Sequence, residues 1–217
     1  MGPDPAMTKH QGAYWGSTSY QHLKTGWLCL DFANTAEWHA SESPLEHLRS
    51  YHDLVEWARD KAVLDEPAVG KVQQLARSSP TKAAAAYRKA VELREVIYRL
   101  FSAIAAGRQP TAADLNALNR LLIKALPHLR VRTSDQGYYW GWYEEPDLDS
   151  VLWSVAWSAS RLLTSKLLDR IGECADDRGC GWLFVDMSKN KSRRWCDMKD
   201  CGNRNKVQRY YARKRAS

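Results

Sequence analysis

Cys174-Ala175-Asp176-Asp177-Arg178-Gly179-Cys180 and, after the spacer 181–195, Cys196-Asp197-Met198-Lys199-Asp200-Cys201-Gly202-Asn203-Arg204 decide how this chain ends. Each close cysteine pair can offer two thiolates from one tight turn, and a spacer folded as a hairpin brings the pairs together. That is the arrangement a tetrahedral zinc ion requires. With four protein ligands no position is left for water, so the reading is one structural Zn2+ on Cys174, Cys180, Cys196 and Cys201 rather than a catalytic metal. The competing reading of the pairs is disulfides. The chain holds five cysteines, and the fifth, Cys29, sits between Leu28 and Leu30 and reads as a buried core thiol.

Charge follows the metal. From Lys189 to Arg215 there are eleven basic residues and two acidic ones, a sum of +9, against +7 for the whole chain, so the remainder sums to −2. Four thiolates around one zinc contribute about −2 of their own and leave the tail strongly positive. Such a local field is the footprint of a polyanion-binding face. The candidate nucleic-acid contacts are Arg193, Arg194, Asn203, Arg204, Lys206, Arg209 and Arg213. Two readings compete for Asn203 and Arg204: contacts to nucleic acid from a helix start, or a cap and an internal bond to Asp186. Val207, Tyr210 and Tyr211 are expected to form the inner face of that last helix, and Trp182 and Trp195 to pack around the metal.

The first 170 residues carry all eight prolines and a different texture. Residues 1–12 read as a disordered leader, 13–172 as a helical domain with a small sheet, and 173–217 as the zinc module. Ser43-Pro44-Leu45-Glu46 matches a capping box and predicts a helix carrying Leu48, Tyr51, Leu54, Val55 and Ala58. Further helices are predicted around Val69–Leu75, from Thr81 to Ala106 with Gly107 as its stop, from Thr111 to Pro127, and over about 148–172 up to the first zinc cysteine. Trp27–Phe32 reads as an apolar strand, and 129–133 with 138–143 as a hairpin around the polar turn 134–137. The fold class is therefore α+β, with the finger a hairpin plus a basic helix.

Trp153 and Trp157 stand one helical turn apart, and Trp140 and Trp142 share a strand face; packing is the main reading of both pairs. A small-ligand pocket lined by Asn34, Trp38, Tyr139 and Trp142 is the alternative. No catalytic signature emerges: the six histidines show no metal spacing, and there is no activated nucleophile motif and no glycine-rich phosphate loop. A non-enzymatic protein is expected. No apolar run reaches membrane-spanning length and no signal peptide is visible, so a cytoplasmic address is expected.

The motifs also resemble a known family. Cys180-Gly181-x-x-Phe184-x-Asp186-x-Ser188, Arg193-Arg194-Trp195-Cys196 and Cys201-Gly202-Asn203-Arg204-x-Lys206 look like the CGNR zinc finger. Cys29-Leu30-Asp31-Phe32-Ala33-Asn34-Thr35 and Asp53-Leu54-x-x-Trp57-Ala58 look like the ABATE domain that precedes it. The resemblance implies a bacterial protein of a class described as stress-induced transcription regulators, whose finger binds DNA. Taken together, the expectation is a DNA-binding transcriptional regulator, with double-stranded DNA as partner and a front domain that senses a small-molecule effector or forms a homodimer. The alternative is an RNA-binding accessory protein of translation or RNA metabolism. Exposure of Tyr210 and Tyr211 would favour the RNA reading.

Overall fold

The computed structural model describes residues 25–135, 137–142 and 147–216. The 1–12 leader, Tyr143 and the middle of the hairpin turn lie outside them.

At the centre is a helix where a strand was expected. Leu28–Ala33 forms α1, and all six of its residues are buried. A short apolar run closed off on every side carries no period that separates helix from strand. Here Asp31 and Asn34 donate their N–H groups to the Trp27 and Leu30 carbonyls and close helical turns. The one carboxylate in the run, Asp31, is satisfied by the Thr25 hydroxyl at 2.7 Å and Lys61 at 2.7 Å. Cys29 is fully buried, as its setting implied, and its N–H donates to the Ser158 hydroxyl.

The capping box at Ser43 is not a helix start. Leu45–Glu46 is a short strand, β2, antiparallel to β1, Ala36–Glu37. Helix α2 begins later, at Tyr51–Asp60, capped by Ser50. Ser50 accepts from the Asp53 N–H, and Asp53 in turn accepts from the Arg49 N–H. Both sites match the sequence template, but only the second directly precedes the run Leu54, Val55 and Ala58. All three of these residues are buried.

The remaining helices are α3 (Glu66–Ser78), α4 (Pro80–Ala105), α5 (Ala112–Ala125) and α6 (Ser150–Leu163). The long α4 stops at Gly107, whose φ of +69° is the left-handed conformation of a C-terminal cap. Helix α5 starts on Thr111, whose hydroxyl accepts the Asp114 N–H. The apolar faces of α1, α2, α4 and α6 meet around Phe32, Leu54, Ile97, Phe101 and Leu162.

Helix α6 is shorter than expected. The hydroxyls of Thr164 and Ser165 donate back to the Ser160 and Leu162 carbonyls and draw the helix to a close. The chain then turns and enters β5, Ile171–Glu173, so a strand rather than a helix delivers Cys174.

The predicted hairpin is present as β3 (Leu129–Ser134) and β4 (Gly137–Trp142). Its tryptophans explain the paired spacings: Trp142 packs on Trp153 at 5.9 Å and Trp140 on Trp157 at 6.4 Å. Residues two apart on a strand and four apart on a helix both step about 6–7 Å, so the pairs interlock. No described helix is long and apolar enough to cross a membrane.

Candidate metal centre and basic helix

The finger begins as a strand pair. β5 lies antiparallel to β6, Leu183–Val185, with Glu173 opposite Leu183. This pair bonds directly to the front domain. The Asn34 amide nitrogen donates to the Leu183 carbonyl at 2.9 Å, while the Leu183 N–H donates to the Asn34 amide oxygen at 2.9 Å. One side chain thus serves both polar backbone groups of a buried residue. Glu173 accepts from the Tyr98 hydroxyl at 2.8 Å and the Ser102 hydroxyl at 2.6 Å, both from α4. The turn between the first two cysteines lies flush on residues 40–41. A Cβ at Gly179 would stand 2.7 Å from the Ser41 backbone, and one at Gly181 would stand 2.8 Å from the Ala40 nitrogen. Both glycines also have positive φ.

Cys174 follows β5, Cys180 ends the glycine turn, and Cys196 and Cys201 lie on the turn just before the last helix. All four are buried and unpaired by disulfides. Their Sγ atoms lie within 4.8 Å of one another, with Cys180–Cys196 at 3.7 Å and Cys196–Cys201 at 3.6 Å. Tetrahedral zinc with Zn–S bonds of about 2.3 Å requires S···S separations of about 3.8 Å. The thiols therefore fit one such ion. Without a cation they must share protons. Hydrogen bonds from the other three hold the Cys174 thiol far below its ordinary value, and Cys180 and Cys196 are pushed far above theirs by bonds to Cys174 and their neighbours. A dication relieves that conflict by replacing the shared protons. The protein holds one structural zinc on four cysteines. Around them pack Trp182 and Trp195, as the sequence implied, together with Phe184 and with Trp38 from the front domain.

Trp38 is a functional neighbour that sequence reasoning assigned elsewhere. Its φ of +56° is unusual for a bulky residue. Its ring is flanked by the guanidinium groups of Arg178 at 5.1 Å and Arg204 at 5.0 Å. Arg204 also donates to Asp200 at 2.9 Å and to the Cys201 sulfur at 3.2 Å. Nearby, Asp176 is buried and gripped by the Arg178 guanidinium. The internal reading of Arg204 thus has a geometry, but with Asp200, Cys201 and Trp38 rather than the expected Asp186. Asp186 instead accepts the Ser188 and Arg193 N–H groups and orders the 186–193 turn.

Other candidate contacts divide in the same way. The Arg193 guanidinium donates to the Trp195 and Cys196 carbonyls and covers the Phe184 ring at 4.3 Å, so it staples the hairpin. Asn203 does not cap the helix. Its amide donates back to the Lys199 carbonyl, and Asp197 caps the preceding turn, Met198–Gly202. Arg194 lies over Trp195 and shares with Asn205 and Arg209 a shallow cleft of about 340 Å³.

Helix α7, Asn203–Ala216, is held near its start, where Asn205 is buried and bonds the Cys201 carbonyl and the Gln208 amide donates to Asp177 at 3.1 Å. Lys206, Arg209 and Arg213 are exposed. So, against expectation, are Val207, Tyr210 and Tyr211, the tyrosines at 62% and 57%. No described element lies against that face of α7, and its apolar residues are too few to recruit one.

The candidate ligand pocket does not assemble. Asn34 serves β6 and Trp38 the finger, while Trp142 packs on Trp153. Tyr139 stands on the opposite face of the hairpin, across from Arg132.

Comparison with known families agrees with this division. The ABATE model, described as "Putative stress-induced transcription regulator", matches residues 26–166, and the CGNR zinc finger model matches residues 170–214. The finger's match therefore opens at Arg170, beside β5. No curated protein matches the chain. With most of its length covered by one family and its metal site by a second, the chain belongs to the ABATE family and ends in a CGNR zinc finger.

Proposed function

We propose that this protein is a DNA-binding transcriptional regulator in which zinc fixes the base of α7 and the exposed remainder of the helix enters duplex DNA. The reading is carried by α7, a basic helix projecting from a metal-pinned base, within a stretch, Lys189–Arg215, that sums to +9 on a chain that sums to −2 outside it. Its fourteen residues span about 21 Å, and an α-helix fits the major groove, about 12 Å wide. The family description supports a role in stress-induced regulation. The front domain serves regulation, by sensing an effector or by self-association, and is not a catalyst.

Arg193 and Arg204 bond within the finger, and the phosphate contacts are assigned to the exposed cations Arg194, Lys206, Arg209 and Arg213. Four such contacts give a slope of log affinity against log salt of roughly −3 to −4 on duplex DNA. Titration of the zinc-loaded chain with duplex DNA at several salt concentrations checks this; a slope near zero overturns the reading.

The second reading, RNA, is favoured by one observation, the exposure of Tyr210 and Tyr211. The two rings stand edge to face at 5.5 Å, and exposed aromatics beside arginine can stack unpaired bases, at about 1–3 kcal/mol per base. If Tyr210→Ala weakens single-stranded RNA binding about tenfold or more and leaves duplex binding unchanged, RNA replaces DNA as the partner.

A further inference from the structure

The hairpin β3–β4 forms a two-stranded sheet of its own, and among the described residues no third strand continues it. Its root is docked through Trp142 on Trp153, with His128 stacked on the same ring at 4.1 Å. Outward along that face burial fails. Trp140 is 56% exposed, and Tyr138, nearest the tip, is 82% exposed. Val131, directly across from Trp140, is exposed as well. The two edges also differ. β3 carries Arg130 and Arg132, the kind of charge that discourages edge pairing. β4 reads Gly-Tyr-Tyr-Trp-Gly-Trp, without a charge or a proline to blunt it.

We propose that this edge pairs with its own copy, β4 running antiparallel to β4 about a two-fold axis at Tyr139, to form one four-stranded sheet across a dimer. The proposal deepens the self-association arm of the function proposed above by naming its surface. Side chains alternate along a strand, so an axis through Tyr139 and perpendicular to the sheet sets Tyr138 of one copy opposite Trp140 of the other. The overhanging aromatic faces then cover one another. The contact is isologous and closes at two copies. β4 itself carries no charged side chain, so pairing two copies along it sets no like charges opposite one another.

Magnitude sets the expected strength. Tyr138, Tyr139 and Trp140 together expose on the order of 350 Å² per copy. With the strand backbone, the dimer buries at most about 1,000 Å² in total, the low end for a specific interface. An interface of that size belongs with weak, reversible complexes.

The test uses the full zinc-loaded chain without nucleic acid, in sedimentation runs from about 1 to 200 µM. A monomer–dimer equilibrium is expected. Tyr138→Lys combined with Tyr139→Lys should weaken it by about 100-fold or more while zinc content and helical circular dichroism stay unchanged. Amide exchange on the unsubstituted protein provides a second measurement. Protection of 137–142 should rise with concentration, while that of 129–134 stays constant. A chain that is monomeric throughout overturns the proposal, as does a dimer that survives both lysines or protection that rises only elsewhere. Since no nucleic acid is present, none of these outcomes bears on DNA or RNA binding.

Discussion

Around Phe32, Leu54, Ile97 and Leu162 water is excluded by side chains that touch one another, and the front domain closes on an apolar core. Around Cys174, Cys180, Cys196 and Cys201 comparable burial is reached by four thiols that repel when ionised, so a metal must replace the missing core. Within the finger a second contrast appears. Its base is fastened to α4 and the 34–41 segment by paired hydrogen bonds and stacked arginines, whereas the side chains of α7 from Lys206 to Arg215 are exposed. The lesson is that basic residues of one motif serve different ends. Those near the zinc donate to a cysteine sulfur, carboxylates and carbonyls, and those one or more turns away stand exposed to solvent.

The largest effect expected is from Cys196→Ser. Structural zinc supplies on the order of 10 kcal/mol or more to small finger modules. Metal analysis should show zinc lost and proteolysis should reach 170–216, while the front domain's helical signal persists. Retention of one zinc by the variant would break the contrast between the two cores.

Asn34→Ala strikes the joint. It leaves the Leu183 N–H and carbonyl buried without partners, at about 1–3 kcal/mol each. The melting temperature should fall by several degrees with zinc content intact, and Asn34→Asp, which keeps only the acceptor, should recover part of the loss.

Arg204→Ala sharpens the division within the finger. Loss of the bonds to Asp200 and Cys201 and of the stack on Trp38 should lower zinc affinity about tenfold or more, as for other groups that orient a metal ligand. Competition with a chelator measures this. Unchanged zinc affinity with altered DNA sequence preference would return Arg204 to the list of base contacts.

Acid should expose a smaller effect. Arg99 beside Asp114 holds its carboxyl below the usual carboxylate range. Burial alone would raise Asp186, but hydrogen bonds from Ser188 and Arg193 outweigh it. A carboxylate depressed on folding stabilises above its unfolded value near 4 and loses that contribution as pH falls through the lower folded value. Unfolding midpoints should therefore hold down to about pH 5 for the front domain and decline below about pH 4. Asp114→Asn should flatten that decline.

Lys206→Ala should change stability least of all, within about 0.5 kcal/mol, because its side chain is exposed. It should nonetheless reduce the salt slope of DNA binding by about one unit. A change in melting temperature without a change in slope would invert the division between base and projecting helix.

Much of this was legible without coordinates. The two cysteine pairs named the ligands, because metal geometry acts over a few residues of spacing. The helix opening at Thr111, the long helix expected from Thr81 to Ala106 and the tryptophan pairs of β4 and α6 were also readable, because caps and periodicity are local. α1 was not, since an apolar run buried on all sides has no polar face to report its period. Nor were the roles of Asn34 and Trp38, whose partners Leu183 and Arg204 lie about 150 residues away in sequence and meet them only when β5–β6 docks on α4. The sequence by itself determined that a four-thiolate metal site would carry a basic helix. Tertiary structure alone decided which arginines that site consumes and which remain exposed, because a guanidinium's role depends on the carboxylate, sulfur or ring within hydrogen-bonding or stacking reach.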